Sequence, residues 1–341
     1  MSTTKKLLGL TLAAGLALAG CKKTPNVPPE PDTELQSAVD LQFAQMVITD
    51  IDMICSFVSE GAASLEVPRF YMSEPGTTTI TVTNDLVLMS LYVSFNNTKC
   101  VDGRVRNGTI AMTYSYTNPN ARYYREHEFV GKVSLYNYKV DGWDVTLNNT
   151  FFIKNQLSSP AYDPKTTKLS WSLNGDFSLS YPADPKKNMR VNVDLVKTLA
   201  NTSDPAVFAV SKQSAIQWSL ATVEYKGSMF GTTTGNVPFT YKIDDKNPLT
   251  RDFSCTPDPV GGLGPAPAFK SWKSEFHPIG KGQGTFSTGD LYPRIVSYGN
   301  EQGQYGDLAK DPKNLSYQCD NNGVVTIKGI SYPVDFKEDY K

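Results

Sequence analysis

The sequence predicts a mainly β protein: a large antiparallel sheet, twisted or curved and either sandwich-like or partly closed, with one N-terminal amphipathic helix packed on it. Two patterns predict this class. Between Leu35 and Val58 apolar residues recur at three- and four-residue steps, the period of an amphipathic helix. Beyond Val67 they alternate with polar residues, the period of strands with one buried face. At 341 residues, 40% of them hydrophobic, the chain is long enough for a substantial core.

The first residues have the parts of a bacterial signal peptide that ends in a lipidation site. Lys5 and Lys6 precede an apolar run, Leu7 to Ala19, that is shorter than the about 20 residues of a membrane-spanning helix. The following "LAGC" resembles the lipobox of bacterial lipoproteins, whose cysteine receives acyl chains such as palmitate. We therefore predict a signal peptide over residues 1–20 and lipidation of Cys21. The alternative is an ordinary secretory signal followed by a chance cysteine.

From Cys21 onward we predict four regions in the chain. Residues 21–34 hold Cys21 and a Pro-rich tether, 35–60 form the helix, 62–255 form the main β region, and 256–341 form a C-terminal β region packed on it. Four prolines between Lys22 and Asp32 favour an extended tether. At about 3.1 Å per residue the tether, or equally a disordered leader, reaches roughly 30 Å from the lipid.

Short alternating segments, separated by Asn, Asp, Gly and Pro, predict a series of antiparallel strands. The Pro- and Gly-rich stretch at 255–269 is the best internal linker. The predicted strands lie at 80–82, 89–95, 110–116, 169–173, 177–181, 191–195, 216–220 and 239–243, and a final pair lies near 294–298 and 323–336.

Several blocks of the chain occur in an order and spacing that resemble a family of uncharacterised lipoproteins common in Bacteroidota. They include "CVDGRVRNGTIAMTYSY", "LSWSLNGDFSLSY", "TRDFSC" and "CDNNGVVTIKGISYPVDF", and the likeness covers most of the chain from about Thr77. The family carries no established activity. It implies an outer-membrane location, and Lys22 and Lys23 after the lipidated cysteine, where surface-exported proteins tend to be acidic, favour the periplasmic face over the cell surface.

Four cysteines remain when Cys21 carries lipid, an even number for an oxidising compartment. The resemblance implies a Cys255–Cys319 disulfide, because the family's "TRDFSC" and "CDN" cysteines recur together. That leaves Cys55 and Cys100 as the second candidate pair. Free buried thiols are the alternative, and their spacing offers no metal site.

Catalytic signatures are missing from the sequence. His127 and His277 belong to no H-E-x-x-H motif, and no serine lies in G-x-S-x-G, so we predict no catalytic residue, metal or cofactor. The acidic turns at Asp102 and Asp320 lack the ligand spacing of a calcium loop and are better explained as turns stabilised by side-chain hydrogen bonds. A pair of carboxylates for glycoside hydrolysis would need only proximity in space, and the sequence selects none.

The tryptophans are the only candidate ligand-binding residues. Trp171 and Trp218 alternate in phase with aliphatic residues, which indicates core packing. Trp143 and Trp272 have charged neighbours, so we expect them to be exposed and to stack on a ligand such as a sugar.

The net charge and the absence of catalytic motifs together reduce the number of possible functions. A net charge of -1, with no run of basic residues longer than a pair such as Lys186 and Lys187, argues against nucleic-acid binding. We expect a non-catalytic cell-envelope lipoprotein, held at the membrane by its N-terminal lipid, that binds an envelope protein or a glycan through its sheet surface. The alternatives are a carbohydrate-active hydrolase and a carrier of lipid or another apolar ligand.

Overall fold

A computed structural model describes residues 32–60, 73, 76–78, 80–85, 87–100, 102–114, 123–208, 215–253, 282–288, 291–298 and 322–335. Within these ranges the chain forms one α-helix and 15 strands. The elements are α1 (Gln36–Ser59), β1 (Thr81–Asp85), β2 (Ser90–Lys99), β3 (Val105–Tyr114), β4 (Val130–Val140), β5 (Trp143–Leu147), β6 (Phe151–Asn155), β7 (Ser170–Ser180), β8 (Asn188–Leu199), β9 (Thr222–Thr232), β10 (Pro238–Ile243), β11 (Leu249–Asp252), β12 (Gly282–Thr288), β13 (Arg294–Tyr298), β14 (Asn322–Ile327) and β15 (Ile330–Asp335).

All described strands belong to one antiparallel sheet that follows the order of the chain. The path runs β1-β2-β3-β4-β5-β7-β8-β9-β10-β12-β13-β14-β15, with β6 between β4 and β7 and with β11 beside β9. Most strands pair with their neighbours in sequence, because tight turns join antiparallel strands without a crossover. The exceptions are β6, which pairs with β4 and β7, and β11, which pairs with β9. The predicted fold class, a mainly β protein with one N-terminal helix on a large antiparallel sheet, is therefore confirmed.

Two parts of the predicted strand pattern are wrong. The segments at 169–173 and 177–181 were predicted as separate strands and form the single strand β7. Residues 216–220 alternate like a strand, but Trp218–Leu220 form a short 3₁₀ helix in the connection from β8 to β9. The Ala221 N–H donates to the Trp218 carbonyl over 2.9 Å, which closes the turn. Trp218 still points into the core, while Leu220 is 48% exposed. Three alternating residues are too short a window to separate a strand from such a turn.

The helix α1 is buried on all of its faces, not on one. Every residue from Ser37 to Ser59 is buried. Contacts reach α1 from distant parts of the sheet: the side-chain amide of Asn84 on β1 donates to the Val58 carbonyl over 2.6 Å, and the Tyr298 hydroxyl on β13 donates to Gln42 over 2.7 Å. The sheet thus curves around α1, and the core lies between the two.

By length and composition alone α1 qualifies as a membrane-spanning helix. Its most apolar 18-residue window has a mean hydropathy of 1.3, but that window is 100% buried inside the fold. Core helices pass the same test, so burial within the sheet accounts for the apolar composition of α1.

The predicted pairing of Cys55 with Cys100 is not formed. Both are buried free thiols in the described part of the chain. Cys55 lies near Asp52 and Lys197, whereas Cys100 lies near Arg106 and Asp102, so the two thiols occupy different parts of the core. Burial raises the pKa of Cys100 to about 11 and also raises that of Cys55, which leaves both thiols protonated and unreactive near neutral pH. Cys255 and Cys319 lie outside the described residues.

Candidate functional site

The first cluster of ionisable groups surrounds Asp50 in the middle of α1. One oxygen of Asp50 lies 2.8 Å from the Arg106 guanidinium on β3, and the other lies 2.9 Å from that of Arg251 on β11. Arg106 also donates two hydrogen bonds, of 2.9 and 2.6 Å, to Asp102. All four side chains are at most 5% exposed. Asp50 therefore joins two strands that are far apart in sequence.

A second cluster surrounds Lys197 on β8. Its ammonium lies 2.7 Å from Asp52 Oδ2 and 2.8 Å from Ser56 Oγ, and the Tyr124 hydroxyl donates to Asp52 Oδ1 over 2.8 Å. Three aromatic rings surround the same nitrogen, with centroids 4.5 Å (Tyr124), 5.1 Å (Trp171) and 5.2 Å (Trp218) away. Burial lowers the pKa of Lys197, and the Asp52 carboxylate opposes that shift.

Polar contacts also hold the two ends of α1. Near its start, Asp40 accepts hydrogen bonds from the backbone N–H (2.9 Å) and the hydroxyl (2.6 Å) of Thr234. At its end, Glu60 forms an ion pair with Arg125. Burial raises the pKa of both Asp40 and Glu60, and the hydrogen bonds that each carboxylate accepts oppose the rise.

These clusters secure the helix and do not form an open site. The ions around Asp50 and Lys197 are at most 5% exposed, so a substrate could not reach them without unfolding of the sheet around α1. Neither cluster was predicted from the sequence. The available signal was the presence of Asp40, Asp50 and Asp52 in a helix that has no other charged residue, since buried carboxylates require partners.

An open polar depression of about 580 Å³ lies where β7 and β9 end and β8 begins. This volume falls within the about 300–1,000 Å³ of small-molecule sites. Ser178, Arg190 and Thr232 line it as one row across the three strands, because the register pairs Ser178 with Arg190 and Arg190 with Thr232. Asn188 and Lys186 complete the side formed by the β7–β8 turn.

An ion pair with Asp176 holds the Arg190 side chain at the edge of this depression. The Arg190 guanidinium donates to both oxygens of Asp176, over 2.6 and 3.1 Å, and the amide of Asn148 donates to the same carboxylate over 2.9 Å. These hydrogen bonds lower the pKa of Asp176, so the carboxylate stays ionised and keeps the Arg190 side chain oriented. Lys186 is exposed, and its backbone is held in the turn: its N–H donates to Asp184 over 3.0 Å and its carbonyl accepts from the Asn188 N–H over 3.1 Å.

The turn between β9 and β10 forms the other wall. Thr234 and Asn236 belong to this turn, and Asn236 has a left-handed backbone with a φ of 56°. Asn236 N–H donates to the Thr233 carbonyl over 2.9 Å, and Asp40 holds Thr234 as described above. The wall is therefore anchored to α1, which makes the depression pre-formed.

An exposed aromatic ring lies on the same outer face of the sheet. Phe230 is 49% exposed and precedes Thr232 by two residues on β9, so both side chains point outward. Its partner across the ladder is Asn192. An exposed phenyl ring beside hydroxyl and amide groups provides an apolar surface next to hydrogen-bonding groups.

The expectation that Trp143 is exposed is wrong. Its indole is 4% exposed and packs against Phe43 and Tyr181, with ring centroids 5.3 Å apart in both cases. The physical reason is the tight turn at Asp141 and Gly142, after which β5 starts with its first side chain directed toward the core. Trp272, the second candidate, and Cys21 lie outside the described residues.

The structure tests two other interpretations of the sequence, those of the acidic turn at Asp102 and of the two core tryptophans. Asp102 accepts a hydrogen bond from the Arg104 N–H over 3.1 Å, which confirms its role in the turn. Trp171 and Trp218 are buried, as predicted. Asp320 is not among the described residues. The sequence analysis did not select any residue of the depression, because its walls come from separate turns that become neighbours only when β8 pairs with β9.

Within the described ranges, no three His, Cys, Asp or Glu side chains come together as a metal site requires. No protein-family model, curated protein or solved structure matches this chain. The function is therefore inferred from the chemistry of the depression itself.

Proposed function

We propose that this chain is a lipid-anchored, non-catalytic protein of the bacterial cell envelope that binds a glycan in the depression beside Phe230. The observation that carries the proposal is the character of the lining. Its polar residues are hydroxyls, amides and two cations, and none of the eleven residues that line the described depression is Asp or Glu.

The lining suits a ligand with many hydroxyl groups. Ser, Thr and Asn side chains both donate and accept hydrogen bonds, as sugar hydroxyls do. Lys186 and Arg190 add charge-assisted bonds to a carboxylate or phosphate substituent. Phe230 provides a flat apolar surface for the carbon-bearing face of a sugar ring. An acidic or phosphorylated glycan therefore fits these groups better than a neutral apolar molecule.

The lining also weighs against the hydrolase alternative. Glycoside hydrolysis uses two carboxyl groups on either side of the bond that breaks. In the described part of the chain, three carboxylates accept hydrogen bonds from lining residues: Asp176 from Arg190, Asp40 from Thr234 and Asp184 from the Lys186 N–H. The apolar-carrier alternative would need a vacant concave face. Here α1 fills the concave face of the sheet, and its carboxylates Asp50 and Asp52 pair with cations on the strands.

The membrane anchor is part of the same proposal. The signal-peptide pattern and the lipobox support lipidation of Cys21, and the resemblance to Bacteroidota lipoproteins supports the outer membrane. Lys22 and Lys23 favour its periplasmic face. The glycan would then be one that this compartment offers, such as peptidoglycan or the saccharide part of a lipopolysaccharide.

The first prediction concerns the depression. We expect the double variant Lys186→Ala/Asn188→Ala to bind an acidic envelope oligosaccharide at least about tenfold more weakly, because it loses an ionic and a neutral hydrogen bond. Oligosaccharide fragments of peptidoglycan and lipopolysaccharide would be screened first, and the affinity of the best one measured by isothermal titration calorimetry.

Thr113→Ala is the matched control, because Thr113 is exposed on β3, away from the depression. Its affinity should equal that of the wild type. Equal affinity of the double variant for every bound oligosaccharide would contradict the proposed site. Release of shortened oligosaccharides by the wild type would contradict the non-catalytic assignment.

The second prediction concerns the anchor. We expect Cys21→Ser to abolish incorporation of labelled palmitate and to move the protein from the membrane to the soluble fraction. The physical reason is that each buried methylene contributes about 0.8 kcal/mol, so two or three acyl chains dominate membrane binding. Fractionation of cells that express either form is the measurement. Unchanged membrane association of the variant would show a different anchor.

A further inference from the structure

The ion pair between Lys197 and Asp52 differs from the other buried ion pairs because it is completely buried and three aromatic rings surround its ammonium. Both side chains are 0% exposed, and Lys197 Nζ lies 2.7 Å from Asp52 Oδ2. With ordinary carboxylate geometry, such a contact places the nitrogen about 3.5 Å from the carboxyl carbon, which is a near-attack distance. The two residues are 145 positions apart in sequence, one on α1 and one on β8.

We propose that Lys197 and Asp52 condense to form an intramolecular isopeptide bond that links α1 covalently to β8. The proposal assigns a modification site in the core and is independent of the glycan site.

The reaction needs no added reactant. A proton first moves from the Lys197 ammonium to Asp52 Oδ2, which gives a neutral amine and a carboxylic acid. The amine lone pair then forms the C–N bond, and the π electrons of the carbonyl move onto Oδ1. A second proton leaves nitrogen for Oδ2, the electron pair on Oδ1 re-forms the C=O bond, the C–Oδ2 bond breaks, and water departs with the electrons of that bond. The nitrogen keeps one proton as the amide N–H, so the net change is the loss of one water.

The local groups support each step. Burial lowers the pKa of Lys197, which raises the fraction of the neutral amine that the first step needs. The Tyr124 hydroxyl, 2.8 Å from Oδ1, donates to the oxygen that becomes negative. Ser56 Oγ, 2.8 Å from Nζ, accepts a hydrogen bond from the nitrogen that must lose protons.

The three aromatic rings have two effects on the pair. They stabilise the ammonium, so the neutral amine is the minor form before reaction. They also keep water away from both groups, since Tyr124, Trp171 and Trp218 are each at most 3% exposed. A dry site favours the amide because condensation releases water and hydrolysis would need its return. Slow formation after folding followed by a permanent bond is the expected behaviour.

The test uses the wild-type, full-length lipidated protein. After isolation in detergent, it would be unfolded, reduced, alkylated and digested with trypsin, and the peptides sequenced by mass spectrometry. We expect one branched peptide that joins the segment containing Asp52 to the segment containing Lys197, lighter by one water than their sum. The two linear peptides should be lost in the same proportion.

Lys197→Arg is the variant that cannot form this bond, and Lys226→Arg, on an exposed residue of β9, is its matched control. The first should yield only the linear peptides, and the second should keep the branched one. The wild-type result decides the question even where Lys197→Arg fails to fold. Recovery of unmodified Asp52, together with a Lys197 that reacts with an amine reagent after unfolding, would overturn the proposal and leave an ordinary buried ion pair.

Discussion

Replacement of Asp50 by alanine is expected to lower the free energy of unfolding by about 3–5 kcal/mol, the usual range for removal of one partner from a buried ion pair. Asp50 contributes one carboxylate oxygen to Arg106 and the other to Arg251, at 2.8 and 2.9 Å. Neither guanidinium is more than 1% exposed, so water cannot replace the lost anion. Arg106 retains Asp102, whereas Arg251 loses the carboxylate that faces it.

The measurement is the urea concentration at the midpoint of equilibrium unfolding. An unchanged slope of the free energy of unfolding against urea concentration verifies that the midpoints can be compared. Asp50→Asn keeps one acceptor oxygen, but it loses the charge and directs an NH2 donor toward the second guanidinium, so its loss of stability should be close to that of the alanine variant. Asp245→Ala is the control, because Asp245 is an exposed carboxylate in the turn after β10. An Asp50→Ala midpoint equal to that of the control would contradict the assigned role.

Replacement of Gly227 by alanine is expected to destabilise the protein by more than about 3 kcal/mol, because two independent penalties combine at this position. Gly227 lies in β9 with a φ of +114°, a backbone conformation that other residues rarely adopt. An added Cβ would also lie 2.2 Å from the Asp194 carbonyl oxygen on β8. That atom belongs to the backbone, so the strands must separate to make room.

Gly235→Ala is the matched control for this variant. Gly235 is in the β9–β10 turn, and its added Cβ would have its nearest neighbour 3.6 Å away, an ordinary contact. Thermal and urea unfolding of both variants provide the comparison. The control should stay within about 1 kcal/mol of the wild type, as for a glycine-to-alanine change without strain. Similar stability of the two variants would show that β8 and β9 do not pair as described.

The fold class could be predicted because periodicity is local. Helix α1 was predicted at 35–60 and is observed at Gln36–Ser59, since its apolar spacing extends over more than six turns. The alternating segment at 191–195 lies within β8, as predicted, whereas the segments at 169–173 and 177–181 were predicted as two strands and form the single strand β7. The short segment at 216–220 was not identified correctly, because three alternating residues also suit a 3₁₀ turn.

The burial of the polar side chains on α1, and the partners they contact, depend on the curvature of the sheet and could not be predicted from the sequence. Polar residues on α1 predict a solvated face when a helix covers a flat sheet. The sheet instead curves around α1, so Asp50 and Asp52 meet Arg251 and Lys197 from strands about 150 to 200 residues away in sequence. Trp143 was misjudged for a related reason: charged neighbours suggested exposure, but the turn before β5 directs its ring inward.

The sequence by itself therefore determined the helix, roughly half of the strands and their antiparallel class, and it supports the proposed lipid anchor through contiguous residues. Only the tertiary structure decided which charges are buried together and where a ligand can bind. The depression needs the pairing of β8 with β9 and the anchoring of Thr234 by Asp40, a contact across 194 residues. Periodicity specifies which side of a strand faces the core, whereas strand register and sheet curvature bring distant side chains into contact.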